Sequence, residues 1–197
     1  MRLEVGGDYD GEAWTSEDAS RQDASEARFL ECAFVDCVLD DVRLDHARLA
    51  DTTWTGVRAP VLIMGSSQWR DCLWTDCRLG AVEAYNTQWT RVTVSGGKVD
   101  YLNLRGATLE DVSFVGAVID ELDLAQARAR RVRFDDSRIR TLTLNGATLT
   151  DVDLRGVVDL ARIEGIGSLR GATISEPQLV ELAGALAAEL GVTVAAD

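Results

Sequence analysis

The chain has 197 residues, of which 46% are hydrophobic and 27% charged, a balance typical of one folded domain and not of a disordered chain. Asp and Glu outnumber Lys and Arg by 33 to 20, so the formal net charge is −13, which disfavours direct binding to nucleic acid or to an anionic membrane. No apolar run approaches the roughly 20 residues that span a bilayer, and no signal-peptide stretch opens the sequence. These features predict a cytoplasmic protein.

The first segment, residues 1–26, shows a five-residue spacing of apolar side chains only weakly. Its apolar members are Tyr9, Trp14, Ala19 and Ala24. Polar side chains stand two places before three of them, at Glu12, Glu17 and Gln22. We therefore predict an irregular or strand-like N-terminal cap over residues 1–26.

From Phe29 to Leu154 every fifth residue is apolar, over 26 consecutive positions. The residue two places before each of them is small or aliphatic, and none of these 52 positions is charged, although composition alone would put about 14 charges there (0.27 × 52). A period of five fits neither an amphipathic helix nor an ordinary strand. It predicts short repeated segments that each direct two of five side chains inward and stack as a solenoid.

When central residues that lie four segments apart along the chain are placed in one column, the aromatic side chains fall into two columns. This arrangement indicates coils of four segments each. We number the four sides of a coil along the chain by their first central residues: Phe29 on side 1, Phe34 on side 2, Leu39 on side 3 and Leu44 on side 4. Stacked coils lie ~4.8 Å apart, so the repeats predict a rod of roughly 30 Å.

Several segments resemble the A(D/N)LXX motif of pentapeptide-repeat proteins, among them those at 107–111, 147–151 and 152–156. The resemblance covers residues 27–156 and resumes at 167–175. It implies a right-handed quadrilateral β-helix, an all-β solenoid that we assign to residues 27–175. The sequence departs from the family pattern by placing Trp at four central positions where Leu or Phe is usual.

Residues 176–197 are predicted to form a C-terminal helix and tail. Ser175 suits the N-cap, Pro177 suits the first turn, and Gly191 is placed to end the helix. An apolar stripe at helical spacing comprises Leu179, Leu182, Leu186 and Leu190. The stripe can cap the last coil or join two copies. In the topoisomerase-protecting branch of the family such a helix joins two rods end to end, which favours a homodimer.

Groups that support catalysis or hold a metal or cofactor are nearly absent. The one histidine, His46, falls at an outward position, and no glycine-rich phosphate loop occurs. The cysteines, Cys32, Cys37, Cys72 and Cys77, fall at inward positions, with like positions two coils or ~10 Å apart. That distance is too long for a disulfide or a shared tetrahedral metal. We therefore predict no enzyme activity, no cofactor and no metal site, with the cysteines reduced.

Acidic residues recur at the corners of the coil and are the predicted partner-binding residues. They are Glu31, Asp51, Asp71, Asp111 and Asp151 at one corner, and Asp36, Asp76 and Asp136 at the next. Carboxylates along a rod of duplex-like width can imitate DNA phosphates. The resemblance to the gyrase-protecting branch implies binding to DNA gyrase or a related type II topoisomerase, with resistance to a quinolone or natural toxin, or self-immunity, as the result.

A non-enzymatic protein-interaction scaffold is the alternative. The coil body is only mildly acidic, because residues 29–156 carry 19 acids and 15 bases (15 − 19 = −4). A basic patch of six arginines lies on the later coils, at Arg128, Arg130, Arg131, Arg133, Arg138 and Arg140. Acidic side chains also simply keep a β-surface hydrated and unpaired.

Overall fold

Each strand pairs in parallel with the strand one coil further along the chain, so that Phe29 lies beside Leu49 and Trp54 beside Trp74. The structure is a computed structural model that describes residues 1–195. It is a parallel β-solenoid in which side 1 supplies one strand to each of eight turns, and a single α-helix follows it. The predicted coil of four five-residue segments is confirmed.

The strands of sides 1 and 2 form one 15-stranded sheet, and those of sides 3 and 4 form an eight-stranded sheet. In chain order the strands are β1 (Asp8–Asp10), β2 (Ala13–Thr15), β3 (Arg28–Leu30), β4 (Ala33–Val35), β5 (Val42–Arg43), β6 (Arg48–Ala50), β7 (Thr53–Thr55), β8 (Arg58–Ile63), β9 (Gln68–Arg70), β10 (Leu73–Thr75), β11 (Arg78–Glu83), β12 (Gln88–Thr90), β13 (Thr93–Ser95), β14 (Lys98–Asn103), β15 (Thr108–Val115), β16 (Val118–Asp123), β17 (Arg128–Asp135), β18 (Ser137–Thr143), β19 (Thr148–Thr150), β20 (Val152–Asp153), β21 (Val157–Val158), β22 (Arg162–Glu164) and β23 (Ala172–Thr173). A 3₁₀ helix (Ile166–Leu169) and α1 (Glu176–Glu189) complete the chain.

Most corners turn through a residue with left-handed backbone, such as Asp51 with φ 54°. Short polar side chains tolerate this region better than bulky ones, which is one reason that Asp recurs there. The corner between sides 3 and 4 changes along the rod. Asp41 is still left-handed with φ 55°, but Val61 and Tyr101 lie within strands β8 and β14, which run straight through the corner. β-branched and aromatic residues favour the extended backbone found there.

The largest buried side chains form two aromatic columns that stack across turns within the core. On side 2 the ring centroids of Phe34 and Trp54 are 4.9 Å apart and those of Trp54 and Trp74 are 5.7 Å apart. All three side chains are fully buried. The indole N–H groups of Trp54 and Trp74 have no hydrogen-bond acceptor among the described residues, whereas that of Trp69 donates to Ser67 Oγ at 2.8 Å. Packing therefore outweighs hydrogen bonding in the choice of Trp at these positions.

Residues 1–26 build a first turn and close the N-terminal end of the core. β1 pairs with β3 and β2 pairs with β4, both in the register of the later coils. Gln22 stands at an inward position, and its Oε1 accepts a hydrogen bond from Leu3 N at 2.5 Å. The Leu3 side chain is buried against the core. The polar residue in the weak N-terminal repeat thus holds the segment that covers the first turn.

The C-terminal end gains one residue between strands β21 and β22 and then changes to helix. Arg138 pairs with Val158 at an offset of 20, but Thr141 pairs with Arg162 at an offset of 21. This extra residue explains why the sequence periodicity fails after Leu154. Helix α1 then begins after Ser175, as predicted.

A capping box fixes the start of α1. Ser175 Oγ accepts from Gln178 N at 3.3 Å, and Gln178 Oε1 accepts from Ser175 N at 2.8 Å. Gln178 Nε2 also donates to the carbonyl oxygens of Leu154 at 2.8 Å and Val157 at 3.1 Å. One buried side chain therefore ties the helix to the last coil.

Candidate protein-binding surface

Side 2 presents an outward surface without a charged side chain over its first six turns. We call it the uncharged face, and its residues are Ala13, Thr15, Ala33, Val35, Thr53, Thr55, Leu73, Thr75, Thr93, Ser95, Ser113 and Val115. Leu73 is 40% exposed and Val115 37%. Depletion of charge is typical of the centre of a protein–protein interface, because charged groups are costly to strip of water.

The eight predicted partner-binding acids form two columns, five at the corner between sides 1 and 2 and three at the corner between sides 2 and 3. Six of them border this face, and Asp136 and Asp151 lie in the turns beyond it. All eight have left-handed backbone, which points their side chains away from the packed core: Glu31, Asp36, Asp51, Asp71, Asp76, Asp111, Asp136 and Asp151. Sequence reasoning found these two columns but missed the face between them. The sequence does carry a signal for this face, because twelve successive outward positions of side 2 have no charged residue.

Two of the eight acids are neutralised by arginines of the same column. Arg91 Nε and Nη2 donate to the two carboxylate oxygens of Asp71 at 2.5 and 2.7 Å. Arg131 binds Asp111 in the same way and also Glu110 at 2.8 Å. The hydrogen bonds from these guanidinium groups lower the pKa of both Asp71 and Asp111. The other six acids form no ion pair within the part of the chain that the structure describes.

The basic patch on the later coils carries less free charge than its six arginines suggest. Arg130 lies 3.5 Å from Glu110, Arg133 lies 3.3 Å from Asp135, and Arg138 lies 2.7 Å from Asp159. Arg131 is held by its acidic partners as described. Among residues 1–195 only Arg128 and Arg140 of this patch form no ion pair, and they lie on different sides of the rod.

The structure divides the predicted dimer stripe of α1 between two environments. Leu182 and Leu186 are half-buried on the side of the helix that faces the coil end, where α1 packs against the 3₁₀ helix. Leu179 is 50% exposed and Leu190 is 79% exposed. Val180 adds a further apolar side chain that is 77% exposed. The helix therefore covers the last coil with part of the stripe and leaves the rest in solvent.

The cysteines and the histidine lie where the repeat register puts them. All four cysteines are buried free thiols. Burial raises the pKa of Cys72, and it raises the pKa of Cys77 to about 11. His46 is an exposed corner residue with φ 59°. Residues 1–195 contain no group of three or more His, Cys, Asp or Glu side chains placed to hold a metal ion, and no helix long and apolar enough to cross a membrane.

Residues 101–136 match the family described as Pentapeptide repeats (8 copies), and no curated protein matches the chain. Among solved structures it is similar to a trypsin-treated variant of QnrB1, a plasmid-mediated fluoroquinolone resistance protein, at 13% identity and a TM-score of 0.30, over 96% of this chain and 100% of that one. It is also similar to HetL, a pentapeptide repeat protein involved in heterocyst differentiation regulation from the cyanobacterium Nostoc, at 17% identity and a TM-score of 0.26, over 87% of this chain and 90% of that one. At these scores neither likeness adds to what the coil itself shows. The register of the matched segment continues through the neighbouring turns, so the fold is that of a pentapeptide-repeat β-helix with a terminal helix.

Proposed function

We propose that this chain is a non-enzymatic binding module that occupies the DNA-binding surface of a type II topoisomerase, with DNA gyrase as the leading candidate. Binding would protect that enzyme from a quinolone or a natural toxin, as resistance or self-immunity. The observation that carries the proposal is the pair of carboxylate columns on either border of the uncharged face. A rigid rod with two parallel lines of negative charge suits a positively charged saddle built for a duplex.

Charge density alone does not make the rod equivalent to DNA. A DNA strand carries one phosphate per ~3.4 Å of helix axis, whereas a corner column carries at most one carboxylate per turn of ~4.8 Å. Because Arg91 and Arg131 neutralise two of those positions, the free charge is sparser still. The uncharged face must therefore supply contact that DNA does not offer, through hydroxyl and small apolar side chains that lose water at little cost.

The area of the uncharged face favours a second rod in the complex. Six turns of ~4.8 Å and a three-residue width of roughly 10 Å give about 300 Å². A stable interface buries about 800 Å² on each partner. We propose that two copies join through the exposed part of α1, at Leu179, Val180 and Leu190, so that the rods extend end to end. A two-fold interface presents each apolar side chain twice.

Asparagine substitution provides the sharpest test, because Asn tolerates left-handed backbone as well as Asp does and removes only the charge. In the test variant, Asp36, Asp51 and Asp76 all become Asn. In the control variant, Asp18, Asp41 and Asp45, on sides 3 and 4, become Asn and remove the same total charge. Supercoiling by purified gyrase, and rescue of that activity from a quinolone or peptide toxin, are measured for both at two salt concentrations.

The wild type should alter supercoiling or rescue it, and the effect should weaken as salt rises. The test variant should lose the effect and the control should keep it. Equal behaviour of the two variants would contradict a role for the acidic borders.

A protein-interaction scaffold with a different partner is the second candidate. The observation that favours it is the left-handed backbone at all eight predicted partner-binding acids, which accounts for Asp there without any partner. If the wild type changes neither supercoiling nor drug-stabilised cleavage, the topoisomerase proposal fails for that enzyme and the scaffold is favoured.

A further inference from the structure

Side 3 carries three cationic side chains in direct register on neighbouring strands. Arg58 on β8 pairs with Arg78 on β11, and Arg78 pairs with Lys98 on β14. Like charges directly opposite each other in a sheet repel and destabilise the pair of strands. A ladder of this kind therefore needs negative charge close by.

The third cation shows how the rod neutralises such a charge. Lys98 Nζ lies 2.6 Å from Asp100 and 3.1 Å from Asp120. Asp100 stands two residues after Lys98, at the other outward position of the same segment. In the two preceding turns that position holds Pro60 and Gly80, so Arg58 and Arg78 lack the acid that Lys98 has. Neither arginine forms an ion pair with any carboxylate in residues 1–195.

Because Pro60 and Gly80 stand where the next turn has Asp100, a depression of about 960 Å³ lies on side 3. Its lining includes Arg58, Pro60, Asp76, Arg78, Gly80 and Asp100. A Cβ atom on Gly80 would collide with the carbonyl oxygen of Pro60, so the close approach of these two strands requires glycine. The space above Pro60 and Gly80 is therefore built into the backbone, and two free guanidinium groups border it.

We propose that this depression binds a ligand that carries carboxylates. The ligand lies over Pro60 and Gly80, at the outward position that the Asp100 carboxylate occupies in the next turn. Each guanidinium presents a planar fork of donors that matches a carboxylate. The two arginines are ~4.8 Å apart along the rod, which suits two carboxylates on one ligand. An acidic segment of a partner protein and a free dicarboxylic acid both supply this chemistry. The site lies on side 3 and shares only Asp76 with the border of the uncharged face, and its two arginines play no part in the topoisomerase proposal.

Calorimetric titration of the full chain with hexaglutamate peptide and, separately, with succinate tests the site. The test variant carries Arg58→Gln with Arg78→Gln. The matched control carries Arg48→Gln with Arg128→Gln, which removes two exposed arginines of side 1 that also lack ion pairs among the described residues. The test variant should lose at least about tenfold in affinity, because both charge-assisted hydrogen bonds are removed, and the control should stay within about twofold.

A third variant, Pro60→Asp, places a carboxylate two residues after Arg58, as Asp100 is placed after Lys98. It should weaken binding although both arginines are still present. The melting temperature of the Arg58→Gln, Arg78→Gln variant should be unchanged or higher, since the repulsion between the two arginines is gone.

Binding of hexaglutamate alone identifies an acidic protein segment as the ligand, and binding of succinate alone identifies a free dicarboxylic acid. The proposal is overturned if the wild type binds neither, or if the test variant and the control bind equally well.

Discussion

Arg91 and Asp71 stand one turn apart at the corner between sides 1 and 2 and form a two-pronged ion pair, with N–O distances of 2.5 and 2.7 Å. Arg131 and Asp111 repeat the arrangement two turns later. On either side of these two pairs the same column holds carboxylates without an ion pair among the described residues, at Glu31 and Asp51 before them and at Asp151 after them. The column is therefore neutral in its middle and negative towards both ends, and its arginines control how much charge can face a partner.

Replacing Arg91 with Gln should strengthen binding to a positively charged partner. The substitution leaves the Asp71 carboxylate, on the border of the uncharged face, with only the longer contact to Arg70 at 3.7 Å. One additional exposed charge at an interface changes affinity modestly, so we expect a gain of roughly two- to fivefold in the gyrase assay. The melting temperature should change little, because exposed ion pairs stabilise a fold only slightly. A matched control is Arg138→Gln, which frees the exposed Asp159 on side 3. Weaker binding by the Arg91 variant would contradict the role assigned to this column.

Charge in the aromatic column should unfold the rod. Trp54 and Phe114 are each 0% exposed, and Trp54→Asp or Phe114→Asp would place an unpaired carboxylate among stacked rings. The penalty of several kcal/mol is comparable to the whole stability of a domain. Circular dichroism should show loss of the β signal. Thr53→Asp is the matched control, since Thr53 lies next to Trp54 on β7 and faces solvent. A native spectrum from either core variant would show that the register is wrong.

The solenoid could be predicted because its signal is repeated at every turn. One five-residue segment alone would not identify the fold. The same inward and outward pattern occurs in 26 consecutive segments, and this agreement makes the prediction of a solenoid secure. Beyond the weak N-terminal segment, the pattern fails at the extra residue between Val158 and Arg162. The insertion is local, because Val152 again pairs with Ala172 at an offset of 20, and composition cannot distinguish such an insertion from the end of the repeat.

The surface was harder to predict, because pairing between outward side chains depends on rotamers and not on register alone. The columns of acids followed from the sequence, but the neutralisation of Asp71 by Arg91 did not, since Arg at a corner is equally compatible with free charge.

The orientation of α1 depends on Gln178, a polar residue outside the apolar stripe. Its buried hydrogen bonds fix which leucines face the coil.

Gln178→Ala should loosen α1 without unfolding the coils. The substitution removes the Gln178 donor from the carbonyl oxygens of Val157 and Leu154, of which Leu154 still accepts from Val157 N, at a cost of about 1–3 kcal/mol. Hydrogen exchange should speed up for the amides of 176–189 and stay slow in strands β8 to β17. Gln68→Ala, at an exposed position on β9, is the control and should leave both unchanged. Unaltered exchange in α1 would show that apolar packing alone holds the helix.

Leu179→Glu with Leu190→Glu should separate a dimer into folded monomers. Both side chains are at least half exposed, so charge there affects the partner copy and not the coil end. Light scattering should give the mass of two chains for the wild type and the mass of one chain for the variant. Leu182→Glu with Leu186→Glu is the contrasting pair, since charge at these half-buried residues should destabilise the docking of the helix itself. A monomeric wild type would contradict the proposed dimer.

Alkaline solution should destabilise the rod through its buried thiols. The thiol of Cys77 has an ordinary pKa of 9.0, and burial raises the pKa to about 11 in the fold. Between these values the unfolded chain releases the proton while the folded chain keeps it. The stabilising contribution is therefore complete below pH 9 and is lost as the pH rises to 11, with a slope of at most about 1.4 kcal/mol per pH unit for this thiol.

The free energy of unfolding in urea, measured at pH 8 and pH 10 for the wild type and for Cys77→Ala, isolates this contribution. The variant should start from a lower stability, because a small cavity replaces the sulfur atom, but its stability should fall less between the two pH values. Other groups that titrate in this range contribute equally to both proteins and cancel in the comparison. An identical fall in both proteins would show that the Cys77 thiol loses its proton as readily in the fold as in the unfolded chain, and that this position is open to solvent instead of sealed between turns.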